Sequence, residues 1–288
     1  MNKPTRIWVI LVALIVIGIF VVALLNILQK SKKPLQELQE HKIGNATIGV
    51  GGGGIRIAVL VDNNPYRSGL ETAWGLSIYV DAWRAKFLFD TGPDPNVLRF
   101  NAEELGVDLS KIDFVVISHV HGDHTGGLEL IASLKPKLKI YIPPDRGLIG
   151  YVKSLGLKPI IVNSTIEIAN GIYVVKPLYG PPMEEAVAIK TDRRLIVLVG
   201  CSHPGVVNMV RQAVRDIGVK PYMVIGGFHM SGANMDEVRE VVDELVEMGV
   251  ERICPIHCSG DTIRQYLAKY YSDKYIDGGV GLKINIQP

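Results

Sequence analysis

The sequence of 288 residues carries 31 basic and 29 acidic side chains, a formal net charge of +2, and 48% hydrophobic residues. The near balance of charge gives no basic excess and no acidic tail, so no nucleic-acid partner is expected. The length suits one large catalytic domain or two small ones. The three cysteines, Cys201, Cys254 and Cys258, are too few and too uneven in number for a disulfide framework.

After a short tail at residues 1–6, the segment at residues 7–28 is apolar except for Asn26. A helix of ~20 apolar residues spans the ~30 Å core of a bilayer, and a helix without any polar face is not typical of a soluble protein. A secretory signal peptide is the alternative, but its apolar part is shorter and ends at a small-residue cleavage site, which this segment lacks. The sequence therefore predicts a single-pass membrane anchor at residues 7–28.

Basic side chains lie on both sides of this predicted anchor: Lys3, Arg6, Lys30, Lys32 and Lys33. The cluster after the anchor is slightly denser, which weakly favours a cytoplasmic location for the rest of the chain. Residues 29–54 are first polar and then rich in glycine, which is typical of a stalk and flexible linker. We expect the globular domain to cover residues 55–288.

Within that domain, short apolar segments typical of strands alternate with segments that have helical spacing. The strand-like segments are residues 55–62, 76–80, 86–90, 114–118, 139–142, 159–162, 172–175, 186–190, 195–199, 222–225 and 253–256, with a last strand after the glycine-rich residues 278–281. The helical segments are residues 96–105, 126–134, 147–155, 206–217 and 235–248. Strands buried on one or both faces indicate two sheets covered by helices, a four-layer αββα sandwich of the α+β class. A doubly wound parallel sheet fits the same pattern.

Six of the seven histidines lie in the predicted domain: His119, His121, His124, His203, His229 and His257. The first three are close together directly after the strand-like segment 114–118, and the other three each follow a later predicted strand. Histidines scattered through a core would not fall so regularly at strand ends. Their placement predicts one convergent site.

The run from His119 to His124 has the spacing of a two-metal site. In a loop after a strand, His119 and His121 can face one divalent ion, whereas Asp123 and His124 are offset and can serve a second. Imidazole with some carboxylate suits zinc, with iron or manganese as alternatives. We therefore predict two divalent metal ions, with zinc favoured.

The motif Ser-His-Val-His-Gly-Asp-His-Thr-Gly-Gly at residues 118–127, preceded by Asp-Thr-Gly at residues 90–92, resembles the signature of the metallo-β-lactamase fold. Three further motifs resemble one branch of that superfamily in archaea and bacteria: Gly-Cys-Ser-His-Pro-Gly at 200–205, Gly-Gly-Phe-His at 226–229 and Pro-Ile-His-Cys-Ser-Gly at 255–260. That branch includes the 7,8-dihydropterin-6-methyl-4-(β-D-ribofuranosyl)aminobenzene-5'-phosphate synthase of methanopterin biosynthesis. Most of its members are called metal-dependent hydrolases.

The resemblance implies a set of metal ligands: His119, His121, Asp123, His124 and His257. It also implies that Asp90 lies behind them and orients a ligand histidine. Many members of the superfamily have an aspartate after a later strand, where this chain has Cys201 and His203 instead. Either His203 completes the first metal site, or Cys201 takes the bridging place. We favour His203 as the ligand, with Cys201 behind it.

The sequence leaves three roles for His229, which could bind metal, protonate a leaving group or be a packed histidine. Glu184 and Glu185 are interpreted as a solvated pair rather than as ligands, and Cys254 and Cys258 as ordinary buried residues. We expect Asp123 and His229 to be the catalytic side chains.

These expectations indicate a membrane-anchored enzyme in which a hydroxide activated by two metals attacks an ester, lactone, amide or phosphoester of a small molecule. A pterin-linked transferase with a pyrophosphate leaving group is the first alternative. A di-iron redox module or a non-catalytic binding module is the second. The sequence does not predict an oligomeric state.

Overall fold

The structure is a computed structural model that describes residues 54–82, 85–192 and 194–286. The predicted anchor at residues 7–28 and nearly all of the predicted linker lie outside these residues. None of the helices that the structure does describe is long and apolar enough to cross a membrane. The division of the chain at residues 6, 28 and 54 stays a prediction.

Within the described residues, one sheet has seven strands. They are β1 (Ile55–Val61), β2 (Ser77–Ala82), β3 (Ala85–Phe89), β4 (Phe114–Val116), β5 (Lys139–Ile142), β6 (Lys158–Ile161) and β13 (Lys283–Ile286), in the spatial order β13-β1-β2-β3-β4-β5-β6. The strands from β13 to β3 pair antiparallel, with Ile57 opposite both Ile284 and Val80. The strands from β3 to β6 are parallel.

The other sheet has six strands within the same residues. They are β7 (Ile166–Ala169), β8 (Ile172–Tyr179), β9 (Met183–Lys190), β10 (Leu195–Val199), β11 (Pro221–Gly227) and β12 (Arg252–Ile256), in the order β12-β11-β10-β9-β8-β7. Strands β7 to β10 pair antiparallel. The pairs β10–β11 and β11–β12 are parallel, so Val199, Gly226 and Pro255 lie side by side. The carboxyl ends of these three strands therefore meet at one edge of the sheet.

Seven α-helices are described: α1 (Pro95–Leu105), α2 (Gly122–Thr125), α3 (Leu128–Leu134), α4 (Arg146–Ser154), α5 (Val206–Ile217), α6 (Met235–Glu247) and α7 (Asp261–Tyr270). Local signals fix their ends. Asp94 accepts hydrogen bonds from the first backbone N–H groups of α1, and Gly106 ends that helix in a left-handed conformation. Asn234 begins α6 with a capping box that Glu237 completes.

Three layers of apolar side chains hold these elements together. The central layer fills the space between the sheets, with Phe87 and Phe89 of β3 facing Val187 and Ile189 of β9. Because side chains alternate along a strand, Leu88 faces the opposite way and packs under α1, α3 and α4. The outer face of the second sheet packs against α5, α6 and α7. Each buried Leu, Ile, Val or Phe side chain contributes roughly 1.5–3 kcal/mol to folding.

The structure confirms two packed sheets and excludes the doubly wound parallel alternative, because both sheets mix parallel and antiparallel pairs. One detail of the prediction was wrong. The metal-binding loop that we expected after β4 continues into one turn of helix, α2, in which the N–H of Gly126 donates to the carbonyl of Gly122. The sequence prediction also missed β7 and α7.

Candidate metal centre

Four strand ends supply the candidate site. His119 follows β4, Cys201 and His203 follow β10, His229 follows β11, and His257 follows β12. The six domain histidines form a continuous set of ring contacts. The ring centroids are 4.7 Å apart for His119 and His121, 4.2 Å for His119 and His124, 4.9 Å for His119 and His203, 4.5 Å for His203 and His229, and 5.1 Å for His124 and His257. The structure thus brings together the histidines that the sequence assigned to one site.

The first donor group is made of imidazoles. His119 Nε2 lies 3.0 Å from His121 Nδ1, and the His203 ring is 5.0 Å from the His121 ring. His203 Nε2 is buried and has no hydrogen-bond partner among the described residues. Burial and the neighbouring imidazoles hold the pKa of His119 well below its usual range, and burial together with His229 and His121 lowers the pKa of His203 to about 4. The lowered pKa values of His119 and His203 favour the neutral form of these two side chains, which is the form that binds metal.

The second donor group combines oxygen, nitrogen and sulfur. Asp123 Oδ2 lies 3.6 Å from His124 Nε2 and 3.5 Å from His257 Nε2. Cys201 Sγ lies 3.3 Å and 3.4 Å from the same two nitrogens. A carboxylate, two imidazoles and a thiol around one point form a donor set that suits zinc.

Cys201 belongs to both groups. Its sulfur lies within 4.8 Å of donor atoms of His119 and His203, and also of Asp123, His124 and His257. The sequence favoured a place for Cys201 behind the ligands, but the structure places its sulfur among them. The sequence treated His203 and Cys201 as alternative ligands, but both lie in the first donor group, so both can bind the same ion.

Asp90 orients two of the histidines. Its Oδ2 lies 2.7 Å from His124 Nδ1 and accepts a hydrogen bond from Ser118 Oγ, and its Oδ1 accepts one from Ser118 N. The Ser118 oxygen, 2.9 Å from His119 Nδ1, is then free to accept that N–H. Both rings are held with Nε2 towards the donor groups. Although burial alone acts against it, the charge and hydrogen bond of Asp90 raise the pKa of His124.

Asp62 and Asn63 hold His257, and the sequence analysis missed both. Asp62 Oδ2 accepts a hydrogen bond from the backbone N–H of His257 at 2.7 Å, and Asn63 Oδ1 lies 3.0 Å from His257 Nδ1. These contacts keep the proton on Nδ1 and turn Nε2 towards Asp123. Burial raises the pKa of Asp62 to about 6. In the sequence these residues indicate only a turn, and no spacing rule links them to a histidine so far along the chain.

The interpretation of Glu184 and Glu185 as a solvated pair was wrong, because both side chains are fully buried. The carboxylate of Glu184 accepts the backbone N–H groups of Cys201, Ser202 and His203, each at 2.8 Å. Glu184 therefore shapes the loop that carries two candidate ligands. Burial, opposed by these N–H donors, raises the pKa of Glu184 to about 7.

Glu185 is buried on the other face of β9, and neither of its carboxyl oxygens has a hydrogen-bond partner in the part of the chain that the structure describes. Burial and the nearby negative charge of Asp90 raise the pKa of Glu185 well above its usual value. The error over this pair has a simple cause. Strand β9 begins at Met183, three residues before the predicted strand, so both glutamates lie inside the sheet.

Trp74 forms one wall of the centre. Its ring is 57% exposed, and its centroid lies 5.2 Å from that of His257. The backbone after Trp74 is hydrogen-bonded to the loop at residues 119–124, because Leu76 N donates to the carbonyl of Asp123. A Cβ at Gly75 would meet the same carbonyl oxygen at 2.4 Å, so only glycine fits there.

The side chains fit two divalent cations. The lowered pKa values of His119 and His203 favour the neutral form that binds metal. His119 Nε2 faces His121 Nδ1, and His203 Nε2, which is buried, has no hydrogen-bond partner in the described part of the chain, as expected of a nitrogen that meets a cation. The two groups are His119, His121, His203 and Cys201 on one side, and Asp123, His124, His257 and Cys201 on the other.

Comparisons with known proteins agree with this geometry. Residues 75–212 match the family model described as the metallo-beta-lactamase superfamily. The 7,8-dihydropterin-6-methyl-4-(beta-D-ribofuranosyl)-aminobenzene-5'-phosphate synthase of Methanocaldococcus jannaschii is 26% identical over 245 residues, which cover 69% of this chain and 83% of the relative. An uncharacterized protein of the same organism is 28% identical over 264 residues, covering 80% of this chain and 100% of the relative.

Among solved structures, that of Tm1679, described as a metal-dependent hydrolase of the beta-lactamase superfamily, superposes with a TM-score of 0.70. The match is 26% identical in sequence and covers 81% of this chain and 100% of the other. The family model, the relatives and the two sheets lead to the same assignment. Residues 75–212 therefore belong to a domain of the metallo-β-lactamase superfamily.

Proposed function

We propose that this protein is a binuclear metal-dependent hydrolase of a small-molecule ester, lactone, amide or phosphoester. The observation that carries the proposal is the pair of donor groups that share Cys201 Sγ at the ends of β4, β10 and β12. Members of this superfamily are mostly metal-dependent hydrolases, and Tm1679 is described as one.

In this proposal His119, His121 and His203 would hold the first ion, and Asp123, His124 and His257 would hold the second. Cys201 would be available to both. Bound divalent ions supply a water of lowered pKa and positive charge for the oxyanion that develops in the transition state. We take zinc as the metal, because a thiol with imidazoles favours it over magnesium or calcium.

Side chains of the protein would orient the attacking water and accept its hydrogen bond. Although burial opposes it, the hydrogen bond from His257 and the nearby histidine charges lower the pKa of Asp123 to about 2. Asp123 is thus an ionised carboxylate that can accept a hydrogen bond from the attacking water as well as bind metal. The exposed face of Trp74 excludes water from one side of the substrate.

His229 is placed to donate a proton to the leaving group. Its ring lies 4.5 Å from that of His203, and its side chain is exposed to solvent. A hydrogen bond with Cys258 raises the pKa of His229, so the imidazole retains a proton near neutral pH more readily than a free histidine does. A general acid in this position contributes typically 10²–10⁴-fold to a rate.

The test uses the full-length chain in detergent. We expect about two zinc ions per chain by elemental analysis and hydrolysis of at least one member of a panel of nitrophenyl esters, lactones and bis-nitrophenyl phosphate. His121→Ala should lose metal and activity but keep its circular dichroism spectrum. His41→Ala, a change in the predicted stalk, is the matched control and should behave as wild type. Full metal content in His121→Ala would refute the assignment.

A second candidate function is a pterin-linked transferase, favoured by the named synthase among the relatives. The same pair of ions would then stabilise a pyrophosphate leaving group. Pyrophosphate release from a dihydropterin pyrophosphate that depends on an aminobenzene acceptor would support this function, whereas hydrolysis of the panel without any acceptor supports the first. Two irons per chain, instead of zinc, would indicate the redox alternative.

A further inference from the structure

A third cluster of donor atoms lies beside the two groups described above. It consists of Cys201 Sγ, Cys258 Sγ and an imidazole nitrogen of His229, all within 4.8 Å of one another. Both cysteines are buried, whereas His229 is exposed. The cluster is therefore a pair of buried thiols beside an exposed imidazole.

The fold builds this cluster from three parallel strand ends. Cys201 follows β10 and His229 follows β11, while Cys258 lies in the short 3₁₀ turn His257–Ser259 that follows β12. Space for the second sulfur depends on Gly227, because a Cβ there would lie 2.7 Å from Cys258 Sγ. Glycine at the end of β11 therefore leaves room for the Cys258 sulfur.

The spacing of the cysteines in the sequence suggests a different pair. Cys254 and Cys258 are close along the chain, but Cys254 is buried in the apolar layer between the two sheets. Its sulfur belongs to none of the donor clusters among the described residues. Cys258 instead joins Cys201, which comes from a strand two positions away in the sheet.

We infer that Cys201, Cys258 and His229 bind a third cation, a soft one such as Zn²⁺ or Cd²⁺, with Cys201 Sγ bridging it to the two-metal centre. Thiolates select soft ions, and this cluster has two sulfurs and no carboxylate. On binding, the S–H bond of each protonated thiol breaks, its proton passes to solvent, and a sulfur–metal bond forms.

A cation at this site should inhibit the two-metal centre. Only this expected inhibition rests on the proposed hydrolysis. A cation bound to His229 occupies the nitrogen that would otherwise protonate the leaving group. The same cation also binds Cys201 Sγ, the sulfur that both ions of the two-metal centre share. Excess soft metal should therefore inhibit the enzyme, with His229 and Cys258 as the residues through which it acts.

The experiment is a Cd²⁺ titration of the full-length chain, followed by equilibrium dialysis, elemental analysis and ¹¹³Cd NMR. Wild type should bind three Cd²⁺ per chain, with one resonance in the range of two-sulfur coordination. Cys258→Ser and His229→Ala should each bind two and lose that resonance. Cys254→Ser removes the third buried cysteine instead, is the matched control, and should still bind three.

Binding of only two Cd²⁺ by wild type would overturn the inference, and so would a third Cd²⁺ retained by both Cys258→Ser and His229→Ala. His229 is exposed, so His229→Ala should fold even if Cys258→Ser does not, and circular dichroism checks each variant. The Cd²⁺ count decides this inference whether or not the protein hydrolyses any substrate. Conversely, an enzyme active with two ions and unable to bind a third would retain the proposed function and lose only this site.

Discussion

Asp90 and Asn63 illustrate how single side chains far apart in the sequence set the direction of a donor atom. Asp90 reaches His124 directly and His119 through Ser118, while Asn63 reaches His257. In each case an oxygen accepts a hydrogen bond from the Nδ1–H group, so Nε2 faces the centre without a proton. Oxygen partners of this kind raise the basicity of a ligand imidazole and fix its orientation.

We expect Asp90→Asn to weaken zinc binding by about 10–100-fold, the usual effect of removing such a partner. The amide is uncharged and has only one acceptor oxygen, so it cannot accept from Ser118 N on one side and from Ser118 Oγ and His124 Nδ1 on the other. Competition with a zinc chelator measures the change. Asp273→Asn, at an exposed aspartate, should bind zinc as wild type does, and equal affinities for the two variants would contradict the role given to Asp90.

Glu185 should make the metal-free protein less stable as pH rises. Its pKa is raised by burial in the folded state, so above the unfolded value of 4.5 the folded chain binds a proton that the unfolded chain has lost. The free energy of unfolding then falls by up to ~1.4 kcal/mol per pH unit until the folded pKa is reached.

Glu185→Gln removes this dependence and should raise the stability of the metal-free protein at pH 8 more than at pH 5. Urea unfolding at several pH values measures it. Glu240→Gln, at an exposed glutamate of α6, should leave the pH profile unchanged. If the free energy of unfolding has the same pH dependence in wild type and Glu185→Gln, the pKa of the Glu185 carboxyl is not raised in the folded protein, and the prediction is wrong.

The segment Trp74–Leu76 connects the first sheet to the metal-binding loop, and the close approach at Gly75 makes it sensitive to one methyl group. We expect Gly75→Ala to cost roughly 1–3 kcal/mol of stability, because the new Cβ must displace the carbonyl of Asp123. Zinc occupancy should fall with it. Gly150→Ala in α4 adds a methyl group into open space and should be neutral or stabilising; similar melting temperatures for both variants would contradict the packing argument.

Regular elements with a strong apolar pattern were predictable from the sequence. Strand β10 and helix α5 have the predicted bounds, because β-branched residues and a one-sided apolar face identify them. Strand β7 was missed because it is short and lies at the edge of its sheet with only partly buried side chains. Helix α7 could have been found, since Ile263, Tyr266 and Leu267 have helical spacing.

The candidate site was predictable only where its residues are chemically distinctive. Histidines at strand ends identified the donor groups, whereas the burial of Glu184 and the contact between Asn63 and His257 depend on packing between distant parts of the chain. Asn63 and His257 lie 194 residues apart. No pattern of neighbouring residues in the sequence predicts a contact over this separation.

For the whole molecule, the predicted anchor determines where the chemistry takes place. Residues 7–28 match the thickness of a bilayer core, and we propose that they tether the domain through the glycine-rich linker, on the cytoplasmic side. Cell fractionation should find the full chain with membranes and a chain lacking residues 1–28 in the soluble fraction, with zinc still bound. A full-length chain found in the soluble fraction would contradict the anchor.

The central claim is that two ions share the Cys201 sulfur. Anomalous diffraction at the zinc absorption edge, from crystals of the full-length chain loaded with two equivalents of zinc, tests it most directly. We predict two peaks, one beside His119, His121 and His203 and the other beside Asp123, His124 and His257, with Cys201 Sγ within bonding distance, ~2.3 Å, of both. A single peak, or two peaks with the sulfur bonded to neither ion, would contradict the account.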